Sequence, residues 1–442
     1  MGFEAIPFSE LLSEVVDNRG RTCPTADDGI PLIATNCIRN ELLYPTYEKA
    51  RFVSPDTYST WFRGHPKPGD ILFVNKATPG RVCLVPDPVD FCIAQDMVAV
   101  RADRKKVYPK YLFAVLRSPI VQEQIAQMHV GTLIPHFKKG DFDKLLIPVP
   151  SPGEQQFIGD LYFDLSAKID LNRRMNETLE AIARALFKSW FVDFDPVRAK
   201  IEGRDPGLPQ PIADLFPARL VDSKLGEIPV GWEVGTLGML GKLALGGDWG
   251  EDEAFVRAVE ASCLRGVDLE HLRRDGHASP PRRWFKPASL ERRAMDDRDV
   301  LVAGSGAGPT GRPLWMCAGL LQSLGPCVYS NFCKRIRCGS AAKAVYLDAW
   351  LHDMRESGEI WEHVNGTSVP NLDANSLLAG KEVPMPTLRV LDTYHDFVRP
   401  IWHRKYAGEN NTLAALRDAL LPNLISGELR VKDAEKFIGR IR

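Results

Sequence analysis

The side chains with the clearest chemical capacity lie between His271 and Arg293, in the run HLRRDGHASPPRRWFKPASLERR. There Arg273, Arg274, Arg282, Arg283, Lys286, Arg292 and Arg293 are interleaved with Trp284 and Phe285. Guanidinium and ammonium groups at that density can hold phosphates or reach guanine edges, and Pro280-Pro281 stiffens the segment that carries them. The competing reading is a solvated charged face. Nearer the start, Arg51, Trp61, Phe62, Arg63, His65 and Lys67 form a comparable group. Lys76, Arg81, Arg312, His136, Lys138 and Lys139 fall in loop-like segments and rank next. Lys334, Arg335 and Arg337 lie along a strand-like run, so they should not all share one face.

Catalytic signatures are weak by comparison. Gly306-Ala307-Gly308-Pro309-Thr310-Gly311 formally matches GxGxxG after the strand-like DVLVA, but Pro309 interrupts it and no clear helix start follows. A dinucleotide or S-adenosylmethionine loop needs close-approach glycines beside a helix N-terminus. There is no GxxxxGK[ST], no HExxH among the nine histidines, no GxSxG and no Asn/Asp-Pro-Pro-Tyr/Phe tetrad. Cys327, Cys333 and Cys338 sit close together, yet CVYSNFCKRIRC alternates as a strand does and reads better that way than as a zinc cluster. No metal site is expected. The chain reads as non-catalytic.

Composition limits the class further. The 442 residues are too many for one core, and 44% hydrophobic with 26% charged residues describes a folded globular protein. A net charge of -1 excludes a uniformly basic nucleic-acid binder but not local basic patches. No apolar run approaches the ~18 residues of a membrane span, and MGFEAIPFSELLSE has no signal-peptide character. With nine cysteines and no CxxC pair, a reduced cytoplasmic protein is expected.

The positioning elements are duplicated. Gly131-Thr132-Leu133-Ile134-Pro135 matches Gly366-Thr367-Ser368-Val369-Pro370 at an offset of 235, and Ile147-Pro148-Val149-Pro150 matches Val383-Pro384-Met385-Pro386 at 236. The block Asn176 to Leu186 matches Asn410 to Leu420 at 234, and Gly69-Asp70-Ile71-Leu72-Phe73 matches Arg298-Asp299-Val300-Leu301-Val302 at 229. Each of the last pair is followed by Gly-Arg, at Gly80-Arg81 and Gly311-Arg312. Four blocks in one order with such small drift mark a tandem repeat. In each half, short apolar runs broken by Pro and Gly predict a strand-rich α/β globule, followed by a long helix.

From Glu154 to Phe191 there is no Pro and one Gly, Gly159, so a helix about 57 Å long is predicted. Its second copy, from about Thr387 to Leu421, carries Pro400 and Gly408 and should kink or begin raggedly. Ile158, Leu165, Asn172, Leu179 and Leu186 recur every seven residues, beside a second row of Leu161 or Tyr162, Ile169, Met175, Ile182 and Trp190. That pattern predicts a coiled-coil seam, with Leu413, Leu416 and Leu420 on the second helix. Two such helices in sequential repeats can pair antiparallel, with Asn172 helping to fix register; by repeat offset its mate is Tyr406. The aromatic cluster Phe187, Trp190, Phe191 and Phe194 serves either to dock a partner or to cap the helices' own core. Residues 195–230, with six prolines between Asp195 and Trp232, read as an extended linker.

Several motifs carry a resemblance. They are the Gly-Thr-x-x-Pro turn before Ile147-Pro148-Val149-Pro150, Glu154-Gln155 opening the first helix, and Leu186-Phe187-Lys188-Ser189-Trp190-Phe191-Val192-Asp193-Phe194 closing it. Gly226-Glu227-Ile228-Pro229 to Trp232 then opens the second half, and Leu424-Ile425-Ser426-Gly427-Glu428-Leu429 closes it. In this order, over nearly the whole chain, they resemble the specificity subunits of type I restriction-modification systems. Leu388-Arg389, standing near where Glu154-Gln155 stands in the first copy, departs from the pattern, as does Pro400. The resemblance implies target-recognition domains at 1–150 and 231–386. It further implies spacer helices at 151–194 and 387–425, the linker at 195–230 and a tail at 426–442. It also implies a non-catalytic reader of a split, asymmetric double-stranded DNA site, held by two methyltransferase subunits and joined by restriction/translocase subunits. S-adenosylmethionine, ATP and Mg would then belong to those partners, with no cofactor in this chain and no membrane partner. Half-sites one turn apart lie ~34–36 Å from centre to centre, a span a helix of this length can bridge. Under that reading the cations named above are the candidate DNA contacts, and charge reversal at Arg282 and Arg283 should weaken binding by the assembled complex. A stand-alone DNA-binding or architectural protein, or a coiled-coil scaffold, remains the alternative; the net charge argues against the former.

Overall fold

The computed structural model describes residues 3–18, 22–47, 51–128, 135–306, 310–366 and 368–434. Gly131 to Ile134, Thr367 and Ala307 to Pro309, all part of the motifs above, lie outside the described residues. The chain divides into two compact units, Met1–Asn172 with Asn410–Arg442, and Arg173–Glu409.

The first unit holds a four-stranded antiparallel sheet in the order Leu12–Val16, Met97–Ala102, Ile71–Val74, Val82–Leu84. A three-stranded sheet places Ile30–Ile33 between Arg51–Val53, antiparallel, and Cys92–Ile93, parallel. Glu4–Pro7 pairs with Leu146–Val149. The second unit repeats the plan strand for strand. Its four-stranded sheet runs Gly241–Leu243, Cys333–Cys338, Asp299–Ala303, Pro313–Trp315. Its three-stranded sheet sets Val259–Leu264 between Arg282–Phe285, antiparallel, and Cys327–Tyr329, parallel. Glu233–Thr236 pairs with Glu382–Met385. The matched runs Ile71–Val74 and Asp299–Ala303 are buried at every position, as strands covered on both faces must be. The expectation of one strand through CVYSNFCKRIRC is corrected: a turn divides it into two strands that belong to different sheets. All nine cysteines are free thiols.

The long helix is Pro152–Phe191, 40 residues. Gly159 lets it approach the helix Pro109–Leu116, because a Cβ there would stand 2.6 Å from the Tyr111 backbone nitrogen. The second copy is two helices, Leu388–Lys405 and Glu409–Ser426. Pro400 sits inside the first of these and does not break it; the break falls at residues 406–408, where Gly408 adopts φ 75. Within the first unit Asn172 donates to Asn410 at 2.8 Å, Arg417 lies over the Tyr162 ring, and Leu421 and Ile425 share a core with Ile158. Within the second, Lys405 meets Glu180, and Trp190 packs near Tyr394 and Phe397. Numbers rise along one helix as they fall along the other, so the pairing is antiparallel. The partner of Asn172 is Asn410, and Tyr406 is itself buried in the second core.

The extended linker is also corrected. Residues 195–230 fold into the helices Asp195–Ile201 and Gln210–Ala213 and the hairpin Leu220–Ser223 with Gly226–Pro229. Val197, Phe216 and Ile228 join the second core. Apolar anchors between the prolines supply enough buried surface to order the segment. Phe187, Trp190, Phe191 and Phe194 lie in the same core at 6% exposure or less, stacked among Tyr346, Tyr394 and Trp232. They cap their own core. No helix among the described residues is long and apolar enough to cross a membrane.

Candidate nucleic-acid interface

Three repeated segments meet at one corner of each strand-rich block. A turn, Ala94-Gln95-Asp96 or Ser330-Asn331-Phe332, carries the chain from the three-stranded to the four-stranded sheet. Four hydrogen bonds fix it, and each has its counterpart. Ala94 N donates to Ile33 O at 2.9 Å and Ser330 N to Leu264 O at 2.8 Å. Asn75 N donates to Asp96 O at 2.9 Å and Gly304 N to Phe332 O at 2.7 Å. Phe137 N donates to Asn75 O at 2.8 Å and Leu372 N to Gly304 O at 2.7 Å. Ala77 N donates to Pro135 O at 3.0 Å and Gly306 N to Pro370 O at 3.3 Å. The Gly-Arg pairs close the neighbouring turn: Gly80 and Gly311 take φ 86 and 80, and each donates back to the end of the preceding strand. The Gly-Arg pairs and the loop cations Lys76, Arg81 and Arg312 were visible in the sequence, but the turns Ala94-Gln95-Asp96 and Ser330-Asn331-Phe332 were not, because their residues differ between the halves.

In the first half, Arg51, Arg63, Lys67, Arg81 and Lys138 are exposed. Lys76 faces Asp96 at 4.0 Å, and Lys139 faces Asp17 at 3.6 Å. His136 bridges to Lys76 through the backbone. Phe62 is buried, and the His65 ring stacks on Tyr58 at 3.9 Å, so those aromatics hold the block together. A cleft of roughly 210 Å³ opens between Thr22, Thr35, Arg51, Gln95 and Asp96.

In the second half the dense cationic run is largely tied down. Arg273 is 4% exposed and ion-paired with Glu180 and Asp348, which corrects its assignment as a surface contact. Arg283 is 8% exposed, donates to Trp249 O and Gly250 O, and pairs with Asp252; it too is structural. Arg282 pairs with Glu260, Arg293 with Asp248 and Arg274 with Asp275. An acidic segment distant in sequence, from Asp248 to Glu260, therefore neutralises much of the run. Lys286 and Arg292 are exposed, Lys334 is half-buried, and Arg312 is held by Glu270 at 2.5 Å. Arg335 is buried and Arg337 grips Asp299.

Residues 27–181 match the family described as "Type I restriction modification DNA specificity domain". The HindI specificity subunit of Haemophilus influenzae is 36% identical over 166 residues, a match covering 36% of each chain. The MjaIX specificity subunit of Methanocaldococcus jannaschii is 24% identical over 419 residues, covering 91% of this chain and 88% of that one. Residues 27–181 thus match a type I restriction modification DNA specificity domain, and nearly the whole chain is similar in sequence to a type I specificity subunit. In fold, the crystal structure of the S subunit from M. genitalium is similar, with a TM-score of 0.53 at 14% identity over 96% of both chains.

The seam of the long helices is more polar than its heptads suggest. Ile158, Asn172 and Trp190 are buried, while Leu165, Leu179, Leu186, Leu413, Leu416 and Leu420 are half-buried. Ile182 is 53% exposed, and its place is taken by Ala183 at 4%. The inner row is Tyr162, Ile169, Asn176, Ala183 and Trp190, an unbroken seven-residue register. A small residue suffices at 183 because bulky Tyr394 and Trp402 line the same cleft. Beside it lies a buried charge cluster the sequence did not reveal. Lys405 donates to Glu180 at 2.7 Å and to the Arg273 carbonyl, while the Arg273 guanidinium contacts Glu180 at 2.8 Å, Asp348 at 2.7 Å and the Trp402 ring face. Burial pushes the Glu180 carboxyl up, but Arg273 and Lys405 outweigh it and hold it below its ordinary value. Burial also lowers the Lys405 ammonium.

Proposed function

We propose that the chain is the non-catalytic reader of a type I restriction-modification complex, recognising a split, asymmetric double-stranded DNA site. The observation that carries this is the duplicated corner: one backbone frame appears twice, with different side chains on it. Two such blocks would read two different half-sites, and the helix pair would set the gap between them. Two methyltransferase subunits and restriction/translocase subunits are its partners in this reading. S-adenosylmethionine, ATP and Mg belong to those partners. The recognition domains are residues 1–150 and 231–386, and the exposed cations Arg51, Arg63, Lys67, Arg81, Lys138 and Lys286 hold phosphates. The test is genome-wide detection of methylated adenine with and without the gene. Loss of methylation at one split, asymmetric motif supports the reader. An unchanged methylome, with the methyltransferase expressed, overturns it.

A further inference from the structure

We propose that Gln95 and Asn331 are specificity-determining residues, each reading one adenine in its half-site. The proposal rests on the reader function above and adds where base readout happens. The two residues occupy the same place: the first turn position after Ala94 and Ser330, on the corner that equivalent backbone hydrogen bonds fix in both halves. A reader needs a rigid, conserved frame bearing variable side chains, and this turn is such a place. Its frame coincides while its residues read Gln95-Asp96 in one half and Asn331-Phe332 in the other.

The chemistry suits a base edge. Gln and Asn amides carry a donor and an acceptor on one plane, which matches adenine N7 and N6 in the major groove. Among the described residues neither amide takes part in a side-chain hydrogen bond. Asn331 is exposed, and Gln95 lines the polar cleft beside Arg51. Phe332 is 64% exposed at the tip of a well-packed block, a position where an aromatic ring can meet a thymine methyl group or wedge at a base step. Cations flank each turn: Lys76 faces Asp96, and Lys334 lies two residues beyond Phe332. They are placed to meet the phosphates on either side of the bases being read.

The experiment uses the subunit assembled with its methyltransferase subunits, with Gln95→Ala and Asn331→Ala made singly and the methylated motif mapped for each. Gln95→Ala should leave the second half-site unchanged and relax one adenine position of the first, raising methylation at mismatched sites about tenfold or more; Asn331→Ala should do the reverse. A second measurement does not depend on the variants' activity: each recognised adenine is replaced in turn by the deaza analogue lacking N7. Wild-type binding should fall about tenfold at one adenine per half-site, and the matching alanine variant should lose that penalty. A split motif that neither substitution alters, or a wild-type complex indifferent to the analogue at every recognised adenine, overturns the proposal while leaving the reader function standing. A wild-type complex with no split motif removes the reader function itself.

Discussion

Arg337 holds Asp299 through two parallel hydrogen bonds of 2.6 and 2.7 Å, with Asp299 fully buried. The relationship is duplicated: Arg101 grips Asp70 through two bonds of 2.8 Å. Each aspartate also accepts from a backbone N–H three residues earlier, at Lys67 and Asp296. The carboxylate thus ties the start of a central strand to its neighbour and to the preceding turn. Asp299→Ala would remove the buried carboxylate that Arg337 and the Asp296 N–H share, leaving Arg337 with Asp296 and the Ala294 carbonyl, and a loss of roughly 3 kcal/mol is expected. Urea unfolding of the variant checks it; a loss below about 1 kcal/mol would mean the pair is a surface-type bridge.

Gly159→Ala inverts the usual helix rule. In a free helix the change would gain about 1 kcal/mol in propensity. Here the added Cβ would meet the Tyr111 nitrogen at 2.6 Å and the Lys110 carbonyl carbon at 2.9 Å, both backbone atoms that cannot swing aside. A net destabilisation of about 1–3 kcal/mol is expected. Thermal unfolding with an unchanged or raised midpoint would refute the close packing.

Arg282 and Arg283 are neighbours with opposite roles. Arg283 is buried against Trp249 and bonded to two carbonyls, so Arg283→Ala should cost about 1–3 kcal/mol of stability. Arg282 and its partner Glu260 have side chains 48% and 44% exposed, so Arg282→Ala should cost less than about 1 kcal/mol. Joint charge reversal would therefore mix a folding defect with any change in DNA affinity. Comparing unfolding of the single variants separates them, and equal losses would sink the distinction.

The repeat was legible because strand ends and turns keep their residue types: Gly69-Asp70-Ile71-Leu72 and Arg298-Asp299-Val300-Leu301 announce the same buried strand and the same aspartate. The long helix was legible from the absence of breakers. What failed was partnership at a distance. Arg273 looked like a surface cation because its partners Glu180, Asp348 and Lys405 stand far off in sequence. The seam was misplaced by one residue at 175 and 182 because hydrophobicity favours Met over Asn and Ile over Ala, whereas Asn176 and Ala183 are the buried positions, Ala183 lining a cleft with Tyr394 and Trp402. The corner turns were missed because their residues, Gln95-Asp96 and Asn331-Phe332, differ between the halves.

His352 supplies a pH test of the buried cluster. Among the described residues its two ring nitrogens have no hydrogen-bond partner, and it is 6% exposed, beside Arg273 and Arg184 in one cleft. Burial first, then Arg273 and Arg184, push its pKa down to about 2. In the unfolded chain it titrates near its ordinary value of about 6.5. Between those two values the unfolded state binds a proton that the folded state refuses, so stability falls as pH drops below about 6.5. Between pH ~6.5 and ~5 the His352 contribution falls by roughly 1.5 kcal/mol; Asp70, which burial raises to about 6, opposes it in both proteins, so the difference between wild type and variant isolates the histidine. His352→Leu should remove that loss, because no proton remains to be refused. Urea unfolding of both proteins at the two pH values measures the difference; a His352→Leu chain that loses as much stability as the wild type would show that the imidazole is not held neutral in the fold.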